Sequence, residues 1–266
     1  MTFQPVIPGS GLIGWQFLQR TYDAQFEAFG KSPQLDRDAR YFTERIGNVF
    51  TAQELVGDRR LLGVALGAFG LTDDLENRYF IQKILEDGTS DSGALANRLA
   101  DDRYKRLSDA FGFGPGEVPK TLNVSGMSDI VDLYITQSFE ISVGEQDDTM
   151  RIALFAQREL DRLAGEPMSE DAKWFTVMGL PPLREMLETA LGLPASFGQI
   201  DIDRQLEVFR ERASSNFGET SVSQFSNPQA MERLTNLYLA RSQIASFNAT
   251  VSSGTTALTL LRDSGS

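Results

Sequence analysis

The sequence predicts a mainly α protein, a helical bundle built from diverged helical-hairpin modules with one long helix near residues 128–164. Three observations carry that expectation. Apolar residues recur in steps of three and four along nearly the whole chain, capping residues and glycines punctuate the pattern, and runs that alternate as a strand does are few and short.

Residues 1–31 form an N-terminal segment and first helix, whose stripe is Trp15, Leu18, Tyr22, Phe26 and Phe29. A first helical module spans 32–116. Ser32-Pro33 reads as a cap with proline in the first turn, followed by Leu35, Ala39, Phe42, Ile46 and Val49 on one face. Thr51 to Glu54 has the capping-box pattern, in which hydroxyl and carboxylate satisfy each other's free amides at a helix start. The helix after it carries Leu61, Leu62, Ala65, Leu66 and Phe69, and Gly70 is placed to end it. Leu75, Tyr79 and Ile84 mark another helix, Ser92 caps a short one, and Tyr104, Leu107 and Phe111 form the apolar side of the next. The segment Phe111 to Gly116 holds three glycines and a proline, so the chain turns there and a module boundary is placed at 116.

Residues 117–165 read as a long connecting helix, on the order of 50 Å if unbroken at 1.5 Å per residue. Gly144 is a point at which it can break. The best strand candidates, Asn123-Val124 and Phe139 to Val143, are short. A second helical module spans 166–247, with helices at Leu183–Leu191, Asp203–Ala213 and Pro228–Phe247. Residues 248–266, rich in Ser, Thr and Gly, read as a flexible C-terminal tail whose apolar patch, Leu258, Leu260 and Leu261, can order against a partner.

The two modules share sequence. Asp38 to Thr43 matches Asp171 to Thr176 if Arg/Lys and Tyr/Trp are taken as equivalent, Leu61 to Leu71 aligns with Leu183 to Leu193, and Ala110 to Phe113 echoes the same ending. The register shifts between matches, which fits diverged helical modules with unequal loops.

Composition then limits the chemistry. The chain has 266 residues with 25 Lys+Arg against 37 Asp+Glu, a net charge of −12, and neither histidine nor cysteine. Imidazole or thiolate metal sites, thiol nucleophiles, disulfides and histidine-dependent triads are therefore excluded. The acidic balance argues against a nucleic-acid partner. No apolar run approaches the ~20 residues of a membrane span, and the N-terminus lacks the pattern of a Sec signal peptide, so a cytoplasmic start is expected. Gly9, Gly11 and Gly14 fit G-x-G-x-x-G, but Pro5 and Pro8 break the only run before it, and a dinucleotide turn needs a buried strand there. Acidic pairs at Asp73-Asp74, Asp101-Asp102, Asp147-Asp148 and Asp201/Asp203 offer carboxylates for hydrolysis or a divalent cation; each also sits at a helix start, where it serves as a cap. Asp58-Arg59 and Asp102-Arg103 read as caps with ion pairs, and no G-x-S-x-G or S-x-x-K motif is present in a recognisable setting. No catalytic, cofactor-binding or metal-binding residue is assigned.

Gly11-x-x-Gly14-Trp15-x-Phe17-Leu18-Gln19-Arg20-Thr21-Tyr22-x-x-Gln25, Asp58-Arg59-Arg60-Leu61, Ala68-Phe69-Gly70-Leu71 and Asn97-Arg98-Leu99-Ala100-Asp101-x-Arg103-Tyr104 carry a likeness. It continues in Phe139-Glu140, Gly144-Glu145-Gln146, Arg151-x-Ala153-Leu154, Leu191-Gly192-Leu193-Pro194 and Asp203-x-Gln205. Together these resemble an uncharacterised alphaproteobacterial domain-of-unknown-function family whose genes often lie in flagellar gene clusters. The resemblance implies a non-enzymatic, flagellum-associated structural or assembly protein, with protein partners and no cofactor. One alternative is a cytoplasmic chaperone or regulator of flagellar subunits; another is a hydrolase or binding protein that uses acidic residues with a divalent metal.

Overall fold

A computed structural model describes the backbone of residues 3–263 and the side chains of residues 3–248. Thirteen α-helices and no strand occur among the described residues. They are α1 (Gly11–Gly30), α2 (Pro33–Arg45), α3 (Ala52–Gly57), α4 (Arg59–Ala68), α5 (Arg78–Asp87), α6 (Leu95–Arg98), α7 (Asp102–Phe111), α8 (Val124–Gly144), α9 (Asp148–Gly165), α10 (Glu170–Gly179), α11 (Pro181–Leu191), α12 (Ile202–Phe217) and α13 (Pro228–Asp263). The mainly α expectation holds. The chain divides into two units, one made of Arg20–Gln146 with the segment up to Val6, the other of Ile7–Gln19 with the chain from Asp147 onward. The division falls after Gln146, not at residue 116.

In the first unit α4 is central and packs on α2 and α8. Leu61, Leu62, Ala65 and Leu66 of α4 are buried with Phe42, Leu55, Ile81, Leu107 and Phe111. Gly67 lets α8 approach closely, since a Cβ there would lie 2.7 Å from the Tyr134 ring. The rings of Tyr22, Phe26 and Phe29 stand edge-on around the fully buried Phe139 of α8, at 5.4, 5.5 and 5.5 Å between centroids. Each such pair adds about 0.5–1.5 kcal/mol beyond burial. In the second unit α11 packs on α9 and α13. Trp174 stacks on Phe209 at 5.5 Å and donates from Nε1 to the Thr220 carbonyl at 2.9 Å. Phe197 meets Phe209 edge-on at 5.0 Å.

The single long helix is replaced by two, α8 and α9. Asp147 takes an extended φ of −151° and its carboxylate accepts the Thr149 amide at 3.0 Å, so it caps a new helix instead of continuing the old one. Both strand candidates belong to α8: Asn123 is its cap, accepting from the Gly126 amide at 3.2 Å, and Phe139 to Val143 follows helical spacing with Phe139, Glu140 and Val143 buried. Ser92 caps nothing; the short α6 starts after Ala94. Tyr79 stands outward, and Ile81, Ile84 and Leu85 are the buried face of α5. α13 runs on to Asp263, beyond Phe247. Side chains from 249 onward and residues 264–266 lie outside the described residues, and with them the expectation of a flexible tail.

The repeated endings are real structural equivalents. Gly70 and Gly192 take φ of +69° and +67°, and the Leu71 and Leu193 amides reach back to the Leu66 and Glu188 carbonyls, each at 2.8 Å. This is the backbone closure in which a left-handed glycine satisfies the last helical carbonyls. The matched hexapeptides differ. Phe42 is fully buried in α2, whereas in α10 the preceding position, Trp174, is fully buried and Phe175 is 40% exposed. One residue of shift turns a helix by about 100°, so the two hexapeptides present different faces to their cores.

Candidate functional site

The sequence-selected acidic residues resolve into structural roles. Asp58, Asp101, Asp147 and Asp201 are the N-caps of α4, α7, α9 and α12, each accepting one or two amide hydrogens. The cap of α7 is Asp101 and not Asp102, which pairs with Arg106 at 3.6 Å. Asp73 and Asp74 lie in a 3-10 turn, where Asp74 accepts from the Tyr104 hydroxyl at 2.6 Å and from Asn77 at 2.8 Å. Burial followed by that bond to Asp74 pushes the Tyr104 phenol up. No group of three or more carboxylates placed to hold a metal ion occurs among the described residues. The glycine motif stands at the start of α1. A Cβ on Gly14 would collide with the Gly9 carbonyl and the Met150 side chain, so Gly14 is a packing residue there.

The motif residues that carry the family likeness hold chain segments together. Gln25 accepts the Val6 amide at 2.6 Å and donates to the Val6 carbonyl at 3.1 Å, and Gln146 donates to the Pro5 carbonyl, so both amides clamp one extended segment. Arg103 grips Asp101 with Nε and Nη2 and donates from Nη1 to the Gly70 carbonyl at 2.5 Å. Desolvation works against the Arg103 charge, but the Asp101 carboxylate outweighs it and the guanidinium stays firmly protonated. Gln205 donates to the Ile200 carbonyl at 2.7 Å and accepts from Arg184 at 2.6 Å.

The densest polar cluster missed by sequence reading is Glu170, Lys173 and Ser223. Buried Lys173 donates to the Ala164 carbonyl and to Ser223 Oγ, both at 2.8 Å, with Glu170 at 3.3 Å. Its three ammonium hydrogens have three acceptors. Glu170 also accepts from the Val222 and Ser223 amides and the Ser223 hydroxyl. Burial raises its pKa, but these donors together with Lys173 bring it below the ordinary carboxylate value. The cluster is a charged latch between α10 and the 3-10 turn Ser223–Ser226.

Among the described residues each unit has an exposed apolar surface. In the first, Val118, Leu122 and Val124 stand exposed around the turn Lys120–Leu122. The buried bond from Thr121 Oγ1 to the Val49 carbonyl, at 2.6 Å, brings exposed Phe50 into the same region. An open groove of about 590 Å³ adjoins it, lined by Thr89, Asp109, Glu117, Val118 and Lys120 among others. In the second unit the surface is the outer part of α13. Its buried stripe ends at Leu239, and every side chain from Gln243 to Asn248 is exposed, including Ile244 and Phe247 at 60% and 68%. Such residues look like core in a sequence because spacing alone does not say whether a partner face exists.

The family model described as protein of unknown function (DUF1217) matches residues 68–231. The chain belongs to that family. The matched stretch runs from the last residue of α4 into the first turn of α13, so the exposed part of α13 lies beyond it. The crystal structure of a structural-genomics target protein from Agrobacterium tumefaciens is similar in fold, with a TM-score of 0.70 and 24% identity over 88% of this chain and 97% of that one. No curated protein matches the chain. Among the described residues no helix is long and apolar enough to cross a membrane.

Proposed function

We propose that this protein is a non-enzymatic assembly or structural component associated with the bacterial flagellum, acting through helical protein–protein surfaces. The observation that carries the surface-acting part is the exposed length of α13, where Ile244 and Phe247 project from a helix that has already left the core of its unit. The occupied state of the ionisable clusters supports it: Asp58, Asp101, Asp147 and Asp201 cap helices, and Lys173 is held by three acceptors. The flagellar part rests on the likeness to a family whose genes often lie in flagellar gene clusters.

A clean deletion scored for swimming and for intact filaments tests the reading. Loss of swimming with absent or broken filaments, and recovery of the protein in purified hook-basal bodies or in culture supernatant, is the expected result. A soluble pool that co-purifies with one flagellar subunit moves the protein to a chaperone role. Full motility with normal filaments refutes the flagellar reading, and metal-dependent stabilisation lost on Asp201→Asn or Asp203→Asn refutes the non-enzymatic surface reading in favour of a divalent-metal site.

A further inference from the structure

We propose that the seat of residues 3–6 in the first unit is a peptide-binding site closed by the chain's own strap, and that it takes an extended, proline-bearing segment of a partner protein when the strap lifts. The strap has no helix, and of its side chains only Pro5 is buried. Val6 is 56% exposed, yet both of its backbone polar groups are bonded. Gln25, itself 8% exposed, accepts the Val6 amide hydrogen on Oε1 at 2.6 Å and donates from Nε2 to the Val6 carbonyl at 3.1 Å. Its other Nε2 hydrogen goes to Thr21 Oγ1 at 2.7 Å, which fixes the end of the amide that carries the oxygen. Gln146 donates from Nε2 to the Pro5 carbonyl. All of these residues belong to the first unit, so the seat is independent of α13 and of the flagellar reading.

The strap shows what the seat recognises. Three hydrogen bonds read backbone and one small pocket reads proline, while the side chains of Gln4 and Val6 are left to solvent. A residue held through both its N–H and its C=O is the pairing that one strand offers another, and strand addition of peptides uses the same groups. Proline ahead of that residue holds its own φ near −65° and keeps the residue before it extended, so little freedom is lost on docking. An occupant therefore needs only a proline followed by a residue with an unpaired N–H and C=O. Once the strap leaves, the buried Gln25 amide is short of two partners, which favours refilling by another backbone. Gly9, between the strap and α1, has φ +96° and nothing within 4 Å of the place a Cβ would take, a hinge with room to turn.

Val6→Pro in the full chain removes the N–H that Gln25 accepts and leaves the residues of the seat unchanged. A fluorescein-labelled peptide with the sequence of residues 3–8 is expected to bind the Val6→Pro chain saturably in anisotropy titrations. It should bind wild type at least about tenfold more weakly, because the tethered strap competes at an effective concentration on the order of millimolar. Adding Gln25→Ala to Val6→Pro, or Pro5→Ala in the peptide, is expected to weaken binding by about tenfold or more. A folded Val6→Pro chain that takes no peptide at about 1 mM, or binding that Gln25→Ala leaves unchanged, overturns the proposal. Should Val6→Pro fail to fold, hydrogen exchange of the Val6 amide in the wild-type chain decides. Exchange faster than that of the α8 amides supports a strap that lifts from the folded protein, and exchange only through global unfolding overturns it.

Discussion

Replacing Phe139 by alanine removes a fully buried ring that three others surround edge-on. Truncation of a buried Phe costs about 3–5 kcal/mol through lost transfer energy and the remaining cavity. Three aromatic pairs, each about 0.5–1.5 kcal/mol, place this site toward the upper end of that range. Against a typical domain stability of about 5–15 kcal/mol the first unit loses a large fraction. The two tryptophans, Trp15 and Trp174, both belong to the second unit. Urea unfolding followed by far-ultraviolet circular dichroism and by tryptophan fluorescence therefore separates the units. In Phe139→Ala a portion of the helical signal is expected to melt earlier by roughly 2 M urea, for a loss of about 4 kcal/mol at an m-value near 2 kcal/mol/M. The fluorescence transition should hardly move. An overall loss below about 1 kcal/mol refutes the ring nest as a core, and equal shifts in both signals refute independent unfolding of the units.

Two glycines of α4 should respond with opposite signs. Gly67→Ala drives a Cβ to 2.7 Å from the Tyr134 ring and is expected to destabilise by about 1–3 kcal/mol, whereas Gly63→Ala meets nothing within 4 Å and should stabilise by up to about 1 kcal/mol in thermal melts. Asp101→Ala removes both the α7 cap and the partner of Arg103, with an expected loss of about 2–4 kcal/mol by denaturant titration; Asp101→Asn, which keeps a capping oxygen, should lose less. Glu170 has a folded pKa below its ordinary 4.5. Its contribution is thus present above the unfolded value and disappears as pH falls through the lower folded one. Glu170→Gln should be less stable than wild type at pH 7, with the gap closing in melts taken below about pH 4.

Features decided by neighbours in the chain were legible in the sequence. The Thr51–Glu54 capping box and the Gly70, Gly112 and Gly192 terminations need only a few consecutive residues to form their hydrogen bonds, and all occur. The break between α8 and α9 was less legible, because Gly144 is tolerated inside a helix and the stop depends on how Asp147 competes for the next amides. Tyr41-Phe42 and Trp174-Phe175 read alike, yet only the packing of each helix decides which of two adjacent rings enters the core. The latch of Glu170, Lys173 and Ser223 joins residues about 50 positions apart, a pairing that no local pattern announces. The continuation of α13 past Phe247 was obscured by the Ser and Thr content of the sequence there, which resembles loop composition.

One unit is assembled from two stretches far apart in sequence, Ile7–Gln19 and the chain from Asp147 onward, and this bears on how the protein is made. Gly14 packs against Met150, but a ribosome delivers these residues on the order of ten seconds apart at about 5–20 residues per second. Throughout that interval Trp15 waits with its companions not yet synthesised, while Arg20–Gln146 is made ahead of them. Translation therefore runs opposite to closure for this unit: Ile7–Gln19 must wait, unburied, for the chain from Asp147 onward, a period in which nascent-chain chaperones have a tryptophan-bearing target.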